Sequence, residues 1–265
     1  MENFDLKQTQ RYYHLIALKG NQDIIKKKFF NDWQIKKIAT YNVEGDYSIS
    51  QMALTSNYQY YQGEADNSLN GNNSAPFVFD IIIIECTKID IIILCLPFKK
   101  MTVDIITSLL STYNILVNSY FIKTDLHKLI HANDDYTDLV YNQNHFFLGG
   151  VFFSIKGDSF LSTVKLVGDK PLDSDIYKEY FKENLSNFGL EKSIVKCKVE
   201  ANTDDRLVKL SSTFHIDKFG NYKFYIQSKG RNLLTIPAIF DFLYSINCLV
   251  EASNNPVIHL KKEEE

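Results

Sequence analysis

Residues 81–96 constrain the fold more than any other stretch of this chain. They read IIIIECTKIDIIILCL, an apolar run interrupted by Glu85, Lys88 and Asp90. A membrane-crossing helix needs about 20 consecutive, predominantly apolar residues, and these three charges exclude one. Two strands, 77–86 and 89–96, joined tightly around Thr87 and Lys88, fit the pattern instead. Strands without a polar side must be covered on both faces. Cover from within the fold is the expectation. A dimer or partner interface is the alternative, because an open apolar sheet of this size would be adhesive.

The 265 residues suffice for one large domain or two smaller ones. A hydrophobic share of 45% and a charged share of 23% are those of an ordinary globular protein. The net charge of −3 gives no global sign of a nucleic-acid or membrane partner, so any such case rests on local patches. Cys86, Cys95, Cys197 and Cys248 form no CxxC pair, and their spacing suits neither a disulfide framework nor a zinc site. Buried, reduced thiols in a cytoplasmic protein are expected. Residues 1–13 are polar and lack the apolar segment of a secretion signal, so a chain without a leader is expected.

Along the chain, a strand at 12–19 precedes a helix on which Ile24, Ile25, Phe29 and Trp33 recur at helical spacing. A hairpin at 35–55 turns at Glu44-Gly45-Asp46, and a polar loop is expected at 57–75. After the two apolar strands, a helix is expected at 102–116 and a short one at 124–131. A second series begins with a strand at 146–155, interrupted by Gly149 and Gly150, and a strand at 162–167. A helix follows, capped by Asp173 or Ser174. Then come strands at 193–200, 207–216 and 221–227, with a turn at Asp217-Lys218-Phe219-Gly220, and a closing helix at 233–246. The two series share element order without a shared residue motif. The reading is an α+β fold: two similar strand–helix–antiparallel sheet–helix halves, 1–132 and 150–265, linked by a connector at 133–149. Together they form a curved sheet with helices packed on one side.

This order is similar to the duplicated fold of the TATA-box-binding protein, in which two such repeats form a saddle with helices on the convex side. The resemblance is one of element order and carries no residues across. It implies a protein that binds DNA, RNA or other proteins, or one that serves as a non-catalytic accessory domain.

The strongest local signal is alternation in the late strands. Val195, Cys197 and Val199 point one way, and Lys196, Lys198 and Glu200 the other. Lys209, Ser211, Thr213 and His215 likewise face outward from the next strand, as do Lys223, Tyr225 and Gln227 from the third. As neighbours these strands would gather Lys196, Lys198, Lys209, His215, Lys223 and Tyr225 on one face, with Lys229 and Arg231 just beyond its edge. Lysines supply phosphate contacts and an aromatic ring supplies a stacking platform. The plainer reading is the solvated side of an antiparallel sheet, polar by default.

Other features carry less. Lys26, Lys27 and Lys28 fan around a helix and cannot form one tight site. Lys99 and Lys100 precede a helix start without a glycine-rich loop. His127 and His131 share a helix face, but a metal needs further ligands in fixed geometry. Asp80 and Glu85 have opposite parity on their strand. No nucleophile elbow, phosphate-binding loop or dinucleotide fingerprint occurs. No metal or cofactor is expected. The functional expectation is a non-enzymatic binding or scaffold protein in a cytoplasmic complex, with a protein partner or a second copy of itself. A nucleic-acid-binding protein using the lysine face comes second, and a hydrolase of unrecognised type third.

Overall fold

The structure, a computed structural model, describes residues 11–20, 22–27, 35–43, 47–56, 77–97, 119–134, 139–141, 144–155, 163–168, 170–184, 188–203, 206–226 and 232–252. The loop expected at 57–75 and the helix expected at 102–116 lie outside these residues, as do Lys28, Lys99, Lys100, Gln227, Lys229 and Arg231.

Among the described residues thirteen strands make one sheet. They are β1 (Arg11–Gly20), β2 (Ile35–Val43), β3 (Tyr47–Ser56), β4 (Phe77–Cys86), β5 (Ile91–Pro97), β6 (Ser119–Thr124), β7 (Leu139–Tyr141), β8 (Asn144–Ile155), β9 (Thr163–Val167), β10 (Phe188–Thr203), β11 (Arg206–Asp217), β12 (Tyr222–Ile226) and β13 (Leu249–Ala252). The order is β2-β3-β4-β5-β1-β12-β11-β10-β8-β7, with β6 paired to β1 and β13, and β9 to β8. Among the described residues the α-helices are α1 (Gln22–Lys27), α2 (Leu126–Asp134) and α3 (Thr235–Ser245).

This corrects the expected α+β fold of two matching halves. Among the described residues a single antiparallel sheet dominates, and strands outweigh helices. Strand β1 sits in its interior, bonded to β5 on one side and β12 on the other. The supposed halves also differ in wiring. The first strand of the first series pairs with the last of its own series, β5. Its counterpart β8 pairs instead with β7, β9 and β10. The helix expected after β9 is a π-helical turn, Tyr177–Phe181, although Ser174 does accept the Tyr177 N–H at 3.2 Å as a cap would. Element order in sequence does not specify which strands pair, and here pairing breaks the apparent repeat.

One sheet face carries the main core. Phe146 of β8 stacks on Phe242 of α3 at 4.2 Å, and Tyr222 of β12 meets Phe240 at 4.9 Å, so α3 bridges both strands. Phe153 stacks on Phe181 at 4.9 Å. A buried polar knot fixes the entry to α3. Thr235 Oγ1 lies 2.9 Å from Ser212 Oγ, and Asn232 Nδ2 donates to Ser212 Oγ at 3.0 Å and to the Tyr225 carbonyl at 2.9 Å. Burying these groups is tolerable because each is hydrogen-bonded.

Around β1, β4 and β5 the second face is buried too. Ile81, Ile83, Ile92, Leu94 and Leu96 are as inaccessible as Ile82, Ile84, Ile91, Ile93 and Cys95 on the other side. The chain therefore covers both faces of its apolar strands by itself, as expected. It also means that cover is not confined to one side of the sheet. Among the described residues no helix is long and apolar enough to cross a membrane.

Candidate nucleic-acid interface

From β12 to β9 the second face is open, and the register of five strands sets what it displays. Lys196 of β10 lies between Phe147 of β8 and Thr213 of β11, and Lys198 between His145 and Ser211. Lys192 lies between Phe152 and Asp217, and Phe152 in turn faces Lys165 of β9. His215 faces Lys223 of β12, which faces His14 of β1. Tyr225 faces Tyr12 of β1, with ring centres 5.2 Å apart.

The structure thus brings together Lys196, Lys198, His215, Lys223 and Tyr225. Lys209 shares the face but stands at its far end, six residues from His215 and about 20 Å along the strand. There it pairs with Glu200 at 3.1 Å.

Residues not anticipated from sequence complete the surface. Phe147 and Phe152 point outward while Phe146 and Phe153, beside them in sequence, are buried. Each outward ring has two ammonium groups over it: Lys196 and Lys198 at 5.8 and 5.6 Å from the centre of Phe147, and Lys165 and Lys192 at 5.5 and 5.4 Å from Phe152. Such contacts are worth about 0.5–1 kcal/mol each at exposed sites. The bulge at Gly149 and Gly150 makes the arrangement possible. The register slips there, so Phe147 and Phe152 both face outward despite their odd spacing. Gly149 also lets the Lys196 stem lie across the strand, because a Cβ would come within 2.6 Å of Lys196 Cε.

Positive charge is crowded here. Burial, and then Lys223 and Lys165, push the Lys192 ammonium below the usual lysine range. Burial, then Lys192 and Lys223, hold the His215 imidazole down to about 4. Burial and Lys223 do the same to His14, also about 4. Both rings are neutral near pH 7 and add no charge to the face. The carboxylates on the face are engaged: Glu200 by Lys209, and Asp217 by the backbone N–H groups of Phe219 and Asn221, each at 2.9 Å. A net positive sheet with interleaved aromatic rings can bind a polyanion through its phosphates.

A hollow of about 420 Å³ opens at the Lys209 end, lined by His145, Phe147, Lys198, Glu200, Lys209 and Ser211 among others. Ser211 and His145 flank Lys198 on separate strands. Their strands are two inter-strand spacings apart, roughly 9.5 Å between backbones. His127 and His131 are both exposed on α2, and no group of three or more His, Cys, Asp or Glu side chains converges among the described residues. Burial pushes the thiols of Cys86, Cys197 and Cys248 up to about 12 and raises that of Cys95 as well, which leaves them protonated and inert. No protein-family model and no curated protein matches this chain.

Proposed function

We propose that this is a non-enzymatic nucleic-acid-binding protein, and that the open face of β8 to β12 is its binding surface. The observation that supports this most is the placement of Lys165, Lys192, Lys196 and Lys198 around two outward phenylalanine rings. A face needed only for solubility has no use for Phe147 and Phe152, since the solvent side of an antiparallel sheet is polar by default. The charge favours a polyanion, and the rings favour one that carries bases. A cytoplasmic setting belongs to the same reading, in keeping with four buried, unlinked cysteines.

The test is an electrophoretic shift at low salt with single- and double-stranded DNA and RNA. Wild type should shift at least one of them, and the charge-reversed variant K196E/K198E/K209E/K223E should shift none. Absence of a shift on all four would sink the proposal.

A scaffold role with a protein partner or a second copy has a narrower basis. Ile176 and Tyr180, one turn apart and 55% and 61% exposed, form an apolar spot away from the lysine face. Light scattering tests it: a dimer that Ile176→Asp dissociates would support it, and a monomer that co-purifies with nothing would remove it.

A further inference from the structure

Resting on the reading above, we propose that the ligand is a single strand, bound with unpaired bases stacked on Phe147 and Phe152. Both rings stand half-buried on the solvent side of β8, and neither contributes to the core that Phe146 and Phe153 fill from the same strand. Ile194 lies between their rows on β10, half-buried, and Val167 faces the Gly150 position from β9 with 64% of its surface exposed. The result is an apolar strip through the middle of a lysine field.

Phosphates alone do not explain such a strip. In a duplex the bases are already stacked on one another and offer only their edges in the grooves. An unpaired base has free π-faces, and stacking on an aromatic side chain is worth about 1–3 kcal/mol per base, whatever the base. Phe147 and Phe152 face Lys196 and Lys192, which are four residues apart on β10. The rings are therefore about 13 Å apart along the strand direction. That spans at most about four nucleotides at the 3.4 Å rise of a stacked strand, and fewer when the strand is stretched. Two ammonium groups lie over each ring within 6 Å, and a stacked base would displace them toward the phosphates on either side. Tyr12, 50% exposed and packed edge-on to Tyr225, offers a further platform on β1. The face reads no base edges in this arrangement, so binding is tolerant of sequence.

Fluorescence anisotropy on the whole chain separates stacking from charge. Three labelled probes of about 20 nucleotides, longer than a single binding site, are compared at one salt concentration: oligothymidylate, an abasic strand with the same phosphates, and a duplex. Oligothymidylate should bind about tenfold or more tighter than the abasic strand. The F147A/F152A variant should bind both single strands at the abasic level. Equal binding of oligothymidylate and abasic strand by wild type, or tighter binding of the duplex, overturns the stacking inference while leaving a polyanion-binding face in place. Failure to bind any probe overturns the proposed function with it. The abasic comparison uses wild-type protein, so a variant that fails to fold cannot obscure the answer.

Discussion

The side chain of Lys196 crosses the backbone at Gly149 and ends 5.8 Å from the centre of the Phe147 ring. The missing side chain of one residue thereby sets the path of another on the neighbouring strand. Gly149 thus shapes the proposed binding surface although it offers no functional group.

Gly149→Ala should displace the Lys196 stem and weaken nucleic-acid binding, while the melting temperature moves little, because the clash is with a flexible side chain. The salt dependence of binding should flatten by up to about one lysine's worth. Gly220→Ala provides the contrast. Gly220 has φ +76°, and a Cβ there would come within 2.8 Å of the Thr124 backbone N and O. It should cost about 1–3 kcal/mol of stability. Thermal denaturation of both variants checks the pair.

Neighbouring phenylalanines should differ sharply. Phe146→Ala removes a fully buried ring stacked on Phe242 and should cost about 3–5 kcal/mol. Phe147→Ala removes an outward ring with two ammonium contacts and should cost about 1–2 kcal/mol. Equal losses in urea denaturation would mean that the face assignment of β8 is wrong.

Stability should fall on mild acidification. His14, 8% exposed, is held to about 4 in the folded protein against an ordinary 6.5. Between these values the unfolded chain binds a proton that the folded protein does not. Its contribution is therefore complete above about pH 6.5, declines as the pH falls toward 4, and is lost below that. The loss is up to about 3 kcal/mol for His14. His215 adds to it in the same window with a smaller share, being more exposed. Chemical denaturation from pH 7 to 4 should show this slope, and His14→Leu should reduce it.

Asn232 ties α3 to β11 and β12 through Ser212 Oγ and the Tyr225 carbonyl. Asn232→Leu leaves both buried partners short of a donor and should cost about 1–3 kcal/mol. A differential scanning measurement checks this. A cost near zero would show that the knot is not what holds the start of α3.

Period-two alternation made the inward and outward sets of β10, β11 and β12 legible, because the side-chain direction in a strand is fixed by position alone. Lys196, Lys198, Lys209, His215, Lys223 and Tyr225 all lie on the expected face. The apolar character of the strands within 81–96, at nearly every position, likewise announced burial on both sides. The global arrangement was not legible, since strand pairing over long separations leaves no periodic mark. Nothing in residues 11–20 shows that β1 lies beside β12, which brings Tyr12 and His14 to the lysine face. Phe147 and Phe152 were hidden by the bulge, which gives them opposite parity in sequence but one face in space. Gly149-Gly150 was the available signal, since paired glycines within a strand mark such a slip.

On the proposed function, the lysines of this sheet face hold phosphates. The most direct measurement is the slope of log binding constant against log salt concentration for a single-stranded oligonucleotide, wild type beside K196A/K198A. With four or more phosphates neutralised the wild-type slope should be about −3 or steeper. Loss of Lys196 and Lys198 should flatten it by about two at most, in proportion to the contacts removed. Identical slopes for the two proteins, or wild-type binding insensitive to salt, would contradict the account.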